Sequence, residues 1–268
     1  MWWIFLGIAA LLAVWICLVA PKRADKSRRA AFRGYAYAHR GLYEADQSVP
    51  ENSLAAFRRA VEAGYGIELD LQLSADGQVV VFHDDKLLRV CGVDQRVDAY
   101  RYEALCEFKL FDSAENIPLF SDVLKIVAGK VPLIVELKAG GEWRALCEKA
   151  CAMLTAYDGP YCVESFHPSL VRWFHANAPD VLRGQLSEAY RYSSRHVGGA
   201  AAFVMSRLLT NVWTRPHFIA YRIGPKCLSA RLAEALGAIK VSWTSREPEA
   251  HAGLAAKNDM VIFEHYRP

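Results

Sequence analysis

From Tyr35 to Glu264 the sequence alternates short β-compatible runs with helical ones, and the gap between the second and third runs constrains the fold most. The candidate strands are 35–39, 66–71, 79–83, 133–137, 161–166, 182–186, 218–221, 239–243 and 260–264. Too few residues join the second run to the third for a parallel crossover, which needs about a dozen, so the third must be antiparallel to the second. Each of the other eight is separated from the next by room for a helix, the pattern of a TIM (β/α)8 barrel. A doubly wound open sheet alternates in the same way, but no GxGxxG or Walker loop follows the first strand, and the barrel is favoured.

Asn52 or Ser53 can cap a first barrel helix that carries Leu54, Phe57, Ala60 and Val61 on one face and ends at Ala63-Gly64. Further helices are expected over 144–155, 168–177 and 229–236. Two connections are long. Residues 84–118 form an excursion, with helices expected near 100–107 and 121–128, and such an insertion belongs over one rim. Residues 185–217 form the second, and their apolar stretch 200–213 (Phe203, Val204, Met205, Leu208, Leu209, Val212, Trp213) either packs on the barrel wall or dips into lipid.

Strand geometry then gathers chemistry. Glu68 and Asp70 sit two apart and share a face, as do Glu136 and Lys138. Read as a two-residue turn, Asp76-Gly77 places Asp70 opposite His83 on the hairpin. At the strand C-termini of a barrel, His39, Arg40, Glu68, Asp70, His83, Glu136 and Lys138 would meet on one rim. Three clustered carboxylates without cysteine suit a hard divalent cation, Mg2+ or Ca2+, better than Zn2+. Two histidines can divide acid and base roles, and Arg40 and Lys138 can hold an anionic oxygen substrate. That set fits phosphoester chemistry.

The N-terminus carries an uncharged apolar run, 2–20, long enough as a helix to span nearly a hydrocarbon core of roughly 30 Å. Lys22, Arg23, Lys26, Arg28, Arg29 and Arg33 follow it, which places them on the cytoplasmic side and lets them rest against anionic headgroups. No basic residue precedes the run and no small-x-small site follows, so a cleaved signal is the weaker reading. The expected organisation is an anchor over 1–21, a basic juxtamembrane linker over 22–34, and a barrel over 35–268 with its insertion at about 84–118. Seven scattered cysteines without CxxC spacing read as reduced core residues. A net charge of +3 without a basic tract in the body of the protein gives no support to nucleic-acid binding.

His39-Arg40-Gly41, Pro50-Glu51-Asn52-Ser53 with Ala56-Phe57, Glu68-x-Asp70, Asp76-Gly77, His83-Asp84, Glu136-x-Lys138, Ser165-Phe166 and Trp243-Thr244 resemble, in order and spacing, the signature of the glycerophosphodiester phosphodiesterase family. The resemblance implies a TIM barrel with a segment inserted after the hairpin. It implies Glu68, Asp70 and Glu136 as ligands of a divalent cation, His39 and His83 as the acid and base pair, Arg40 and Lys138 on the phosphate, and Glu51 in support. It implies hydrolysis of glycerophosphodiesters to glycerol 3-phosphate and an alcohol, with a cyclic intermediate among the proposed routes. Some members accept lysophospholipids. The alternatives are a lysophospholipase D or sphingomyelinase D-like enzyme on intact lysolipids, and a non-catalytic lipid-binding barrel. Where the family commonly has Thr-Asp after the last strand, this chain has Phe263-Glu264-His265.

Overall fold

A computed structural model of the chain describes residues 2–268. The strands are β1 (Ala36–His39), β2 (Gly66–Leu73), β3 (Val79–Val81), β4 (Leu133–Leu137), β5 (Tyr161–Ser165), β6 (Leu182–Ser187), β7 (Phe218–Arg222), β8 (Ile239–Ser245) and β9 (Met260–Phe263). All but β3 pair in parallel, in the order β1-β9-β8-β7-β6-β5-β4-β2, and β1 pairs with β2 to close an eight-stranded barrel. β2 runs beyond the end of β1, and there β3 pairs with it antiparallel.

Helices α1 (Trp2–Val19) and α2 (Lys26–Ala30) precede the barrel, and α3 (Leu54–Glu62) follows β1. The excursion after β3 holds α4 (Leu88–Cys91) and α5 (Tyr102–Leu105), and α6 (Phe120–Val127) returns the chain to β4. Then come α7 (Trp143–Thr155), α8 (Pro168–Asn177), the trio α9 (Tyr190–Ser193), α10 (Gly199–Ser206) and α11 (Asn211–Thr214) after β6, α12 (Leu228–Ala235) and α13 (Pro248–Ala255). Ser53 caps α3, its hydroxyl accepting from the Ala56 N–H at 3.1 Å. α13 has no counterpart in the sequence reading.

The period of two divides the barrel interior into layers. Tyr37, Ile134, Cys162, Leu182, Phe218, Ile239 and Met260 belong to one buried apolar cluster. Two residues further along the same strands stand His39, Glu136, Glu164, Val241 and Ile262. The same face of β2 carries Glu68 and Asp70. The interior is therefore apolar below and charged at the C-terminal rim. Gly184 makes this packing possible, because a Cβ there would lie 1.9 Å from the Phe218 ring. A second apolar layer, including Phe57, Leu69, Phe120, Val135, Leu146 and Phe174, lies between strands and helices. The excursion has its own small core of Phe82, Leu87, Val90, Val97, Leu105, Leu110 and Ile117.

The hairpin corrects one expectation. Leu73 pairs with Val79 and Leu71 with Val81, so the register sets Asp70 against Phe82 rather than His83. The turn is three residues long, not two: Ala75, Asp76 and Gly77 are enclosed by the Ser74 N–H bond to the Gln78 carbonyl, with Gly77 at φ +73°. Ser74 donates its hydroxyl to Asp76 at 2.6 Å, and Asp76 accepts the Tyr102 N–H at 2.9 Å, fixing the longer loop. His83 still reaches the rim because β3 ends at Val81 and the chain turns inward.

The basic stretch 22–34 lies against the barrel. Arg28 pairs with Asp180 at 3.0 Å, and Arg29 and Arg33 both pair with Asp259. Lys22 donates to the Pro179 carbonyl and Arg23 to that of Leu236.

Candidate active site

His39 ends β1, and its Nδ1 contacts Glu264 Oε2 just past the end of β9. Tyr43 donates to the same oxygen at 3.0 Å, and Arg246 donates to Glu264 Oε1 at 2.5 Å. Burial would raise the Glu264 carboxyl, but His39, Arg246 and Tyr43 hold it well below the usual carboxylate range. The Phe263-Glu264-His265 departure thus supplies the carboxylate that orients His39. Burial and the neighbouring Arg40 push His39 down, against the pull of Glu264.

His83 is held in the same manner. Its Nδ1 lies 2.6 Å from Asp84 Oδ1, and Arg89 grips Asp84 through Nε at 2.7 Å and Nη2 at 3.0 Å. Arg89 also donates to Glu51 Oε1, which accepts from Arg40 as well, at 2.7 Å. Burial pushes His83 down to about 4, Lys138 adding to the effect while Asp70 and Asp84 oppose it. Each imidazole is therefore neutral at neutral pH, with Nδ1 committed to a carboxylate and Nε2 left for chemistry.

Glu68, Asp70 and Glu136 each offer an oxygen within 4.8 Å of the others'. Asp70 and Glu136 are partners in the β2–β4 register, and Glu136 and Glu164 in the β4–β5 register. Glu164, a fourth buried carboxylate that sequence reasoning missed, has no hydrogen-bond partner for Oε2. Burial, with Asp70, Glu136 and Glu164 alongside, pushes Glu68 well above the ordinary carboxylate range. Burial also lifts Glu136, to about 7, although Lys138 pulls it down. Burial would raise Asp70 too, but Lys138, His83 and Arg40 hold it well below.

Lys138 Nζ sits 2.8 Å from both Asp70 and Glu136, and Arg40 Nε lies 3.5 Å from Asp70. Four buried carboxyls thus crowd around Lys138 and Arg40, and burial with their mutual repulsion pushes Glu68 and Glu164 up, toward the protonated form. A divalent cation would take the place of those protons, and the all-oxygen donor set with the orphaned Glu164 Oε2 fits one.

These groups open into a cavity of about 440 Å3 lined by His39, Arg40, Glu68, His83, Glu136 and Glu164 on its charged side. Phe166, Leu186, Ile223 and Trp243 form its apolar side, Trp243 meeting Phe166 edge to face at 5.5 Å. Asp70 and Lys138 lie behind the cavity wall, and both close contacts of the Lys138 ammonium are carboxylates. Arg222, stacked 4.0 Å over the Tyr192 ring, and Arg246 also line the cavity. Neither was singled out from the sequence.

Fold and site together define a TIM-barrel protein with an acidic cation-type cluster and two carboxylate-backed histidines at its C-terminal rim. Residues 39–266 match the model of the glycerophosphoryl diester phosphodiesterase family, and the chain belongs to that family. It is 31% identical over 157 residues to a Bacillus altitudinis glycerophosphodiester phosphodiesterase, covering 54% of this chain and 63% of the relative. It is 33% identical over 163 residues to human lysophospholipase D GDPD1, covering 55% and 49%. The matched regions thus span about half to three-fifths of these relatives' own length. Among solved structures, an Oleispira antarctica phosphodiesterase in complex with sn-glycerol-3-phosphate superposes with a TM-score of 0.71 at 21% identity, over 89% of this chain and 95% of that one. A Thermotoga maritima glycerophosphodiester phosphodiesterase gives 0.64 at 24% identity, over 85% and 94%. These likenesses show the fold.

Proposed function

We propose that this chain is a divalent-cation-dependent phosphodiesterase that hydrolyses glycerophosphodiesters to glycerol 3-phosphate and an alcohol. The observation that carries the reading is the cluster of buried carboxyls beside two carboxylate-backed histidines in one open cavity. Glu68, Asp70 and Glu136 would hold Mg2+ or Ca2+, with Glu164 next to them. The cation, when bound, polarises the phosphoryl oxygen and offsets its negative charge. One neutral histidine takes the proton of the attacking hydroxyl at Nε2, and the other delivers to the departing alkoxide a proton that it first takes up from solvent at Nε2. The first returns its proton to solvent, so that water and diester are consumed and the monoester and alcohol released. Arg40 offers a guanidinium to the phosphate, Glu51 positions it, and Lys138 compensates Asp70 and Glu136 from behind the cavity wall.

In this reading residues 1–21 anchor a barrel formed by 35–268. α1 is long and apolar enough to cross a membrane, a test that a signal sequence also passes. The charge bias after it favours a cytoplasmic barrel. External protease acting on intact cells with a C-terminally tagged chain would leave the tag untouched, and ready digestion would overturn the placement.

A second reading has a specific observation behind it. The apolar cavity side of Phe166, Leu186, Ile223 and Trp243 suits a substrate whose glycerol carries an acyl chain, and one relative is named a lysophospholipase D. The test for both is release of glycerol 3-phosphate or lysophosphatidate from glycerophosphocholine, glycerophosphoethanolamine and lysophosphatidylcholine, with Mg2+, Ca2+ or chelator. Turnover should fall about a thousandfold or more in Glu68→Ala and with chelator. A folded, metal-supplied protein inert on every diester would sink the enzyme reading in favour of a lipid-binding barrel.

A further inference from the structure

The direction in which α1 lies on the barrel fixes which end of the barrel meets a membrane. Trp15 donates its indole N–H to Ser229 at the start of α12, and eight residues on, Arg23 donates to the Leu236 carbonyl just past its end. α12 starts after β7, at the catalytic rim, and returns to the start of β8 at the opposite end. The chain from Trp15 to Arg23 therefore runs down the barrel flank, away from the catalytic rim. Followed backwards, residues 2–14 project beyond that rim. Val19 and Ala20 are fastened lower down: Asn211 donates to the Val19 carbonyl, and Arg215 to those of Cys17 and Ala20.

Length then decides how close the rim must come. Residues 2–14, at about 1.5 Å each, reach roughly 20 Å, well short of a hydrocarbon core of roughly 30 Å. A spanning α1 has to bring Trp15–Val19 into the lipid boundary too, and α12's first turn is packed alongside them. The surface that would descend is apolar: Leu228 is 66% exposed, Phe203 50% and Ile223 40%, with Val204 beside them on α10. It is also cationic. Between Glu188 and Glu234 the sequence has seven Lys and Arg (Arg191, Arg195, Arg207, Arg215, Arg222, Lys226 and Arg231) and no Asp or Glu. Arg191, Arg195, Arg207 and Arg231 are exposed. Apolar side chains rimmed by free cations are what an anionic bilayer surface receives.

We propose that the β6–β7 sector of the catalytic rim, around Phe203, Val204, Ile223 and Leu228, is seated in the boundary between headgroups and acyl chains of the anionic bilayer that α1 enters, so that the catalytic cavity opens at the membrane surface. The proposal rests on α1 being a membrane helix. Ile223 belongs both to this surface and to the cavity lining, which makes the two continuous.

The full chain, reconstituted in phosphatidylglycerol-containing vesicles with a lipid bearing a carbene-generating group on its acyl chain, is irradiated and its adducts mapped by mass spectrometry. Adducts are expected on α1 and on Phe203, Val204 and Leu228, and not on Arg58 of α3 or on Lys257, which lies just before β9 at the end opposite the rim. Adducts confined to residues 2–14 overturn the seating while leaving the anchor in place, and none on α1 overturns both. This readout needs no turnover, so it stands apart from the assigned activity. The paired Phe203→Glu/Leu228→Glu variant should lose about tenfold on a lysolipid in vesicles and keep its rate on soluble glycerophosphocholine. Equal rates on the vesicle substrate would overturn the seating.

Discussion

At the catalytic rim Arg40 and Lys138 are buried among carboxylates that outnumber them, whereas Arg183, near the other end of the barrel, is buried with no carboxylate at all. Arg183 leaves the outer face of β6 and donates to the carbonyls of Thr214 at 3.1 Å, Arg215 at 2.8 Å and Pro179 at 3.4 Å, and contacts His175 Nδ1 at 2.8 Å. Burial pushes it down to about 10, and it remains a cation at neutral pH. Its neutral acceptors satisfy it, and nothing nearby is left wanting charge. The rim differs in that its clustered carboxyls outnumber the cations among them, and Glu164 Oε2 has no partner. Buried charge with complete partners holds a fold together, and buried charge with a surplus waits for a ligand.

Substitution at the two buried cations separates these cases. Arg183→Met strips three carbonyls and an imidazole of their donor and should cost about 3 kcal/mol of stability, read by denaturant unfolding in detergent. Rate per folded molecule should stay within about twofold, and added Mg2+ or Ca2+ should recover none of the stability. Lys138→Met increases the carboxylate surplus instead, so its melting temperature should rise steeply with either cation. Cation rescue of both variants, or of neither, would break the distinction between the two ends.

Which parts of this were legible in the sequence follows from range. The barrel was readable because strand and helix periods are local, and Glu68-x-Asp70 and Glu136-x-Lys138 because a period of two fixes a shared face. Glu164 carried the same signal, a lone acid in the apolar run 161–166 with Cys162 on its face, and could have been found that way. Glu264 was harder, since barrel closure sets β9 beside β1 but not that a residue past the strand's end turns its carboxylate onto His39. The hairpin register failed because Asp-Gly serves two-residue and three-residue turns alike, and Ser74 and Tyr102 select the longer. The docking of 15–33 onto the flank was equally hidden: its partners, from Pro179 to Asp259, are distant in sequence.

Glu264 tests whether the rim's satisfied contacts matter as well as its surplus. Glu264→Gln keeps the shape and removes the charge that orients His39, so kcat should fall about 10- to 100-fold with little change in KM. The variant should melt close to the parent. An unchanged kcat would mean that His39 is positioned by its strand alone, and the comparison would then turn on the carboxylate cluster only.

The smallest effect belongs to the satisfied end and concerns protons. His217 is buried beside Arg183, accepting the Arg183 N–H at Nδ1 over 3.2 Å, and burial, with Arg183 adding to it, pushes the imidazole down to about 3. A free histidine in the unfolded chain titrates near 6.5, so between about pH 6.5 and 3 the unfolded state binds a proton that the folded state refuses. Stability contributed here is complete above about pH 6.5 and falls with decreasing pH, by about 1.4 kcal/mol per unit for one group. His217→Gln keeps an acceptor for the Arg183 N–H and has nothing to titrate. Its unfolding free energy, measured between pH 6 and 4, should fall less steeply than the parent's by that one-proton slope, whereas parallel slopes would mean that His217 takes up its proton without unfolding.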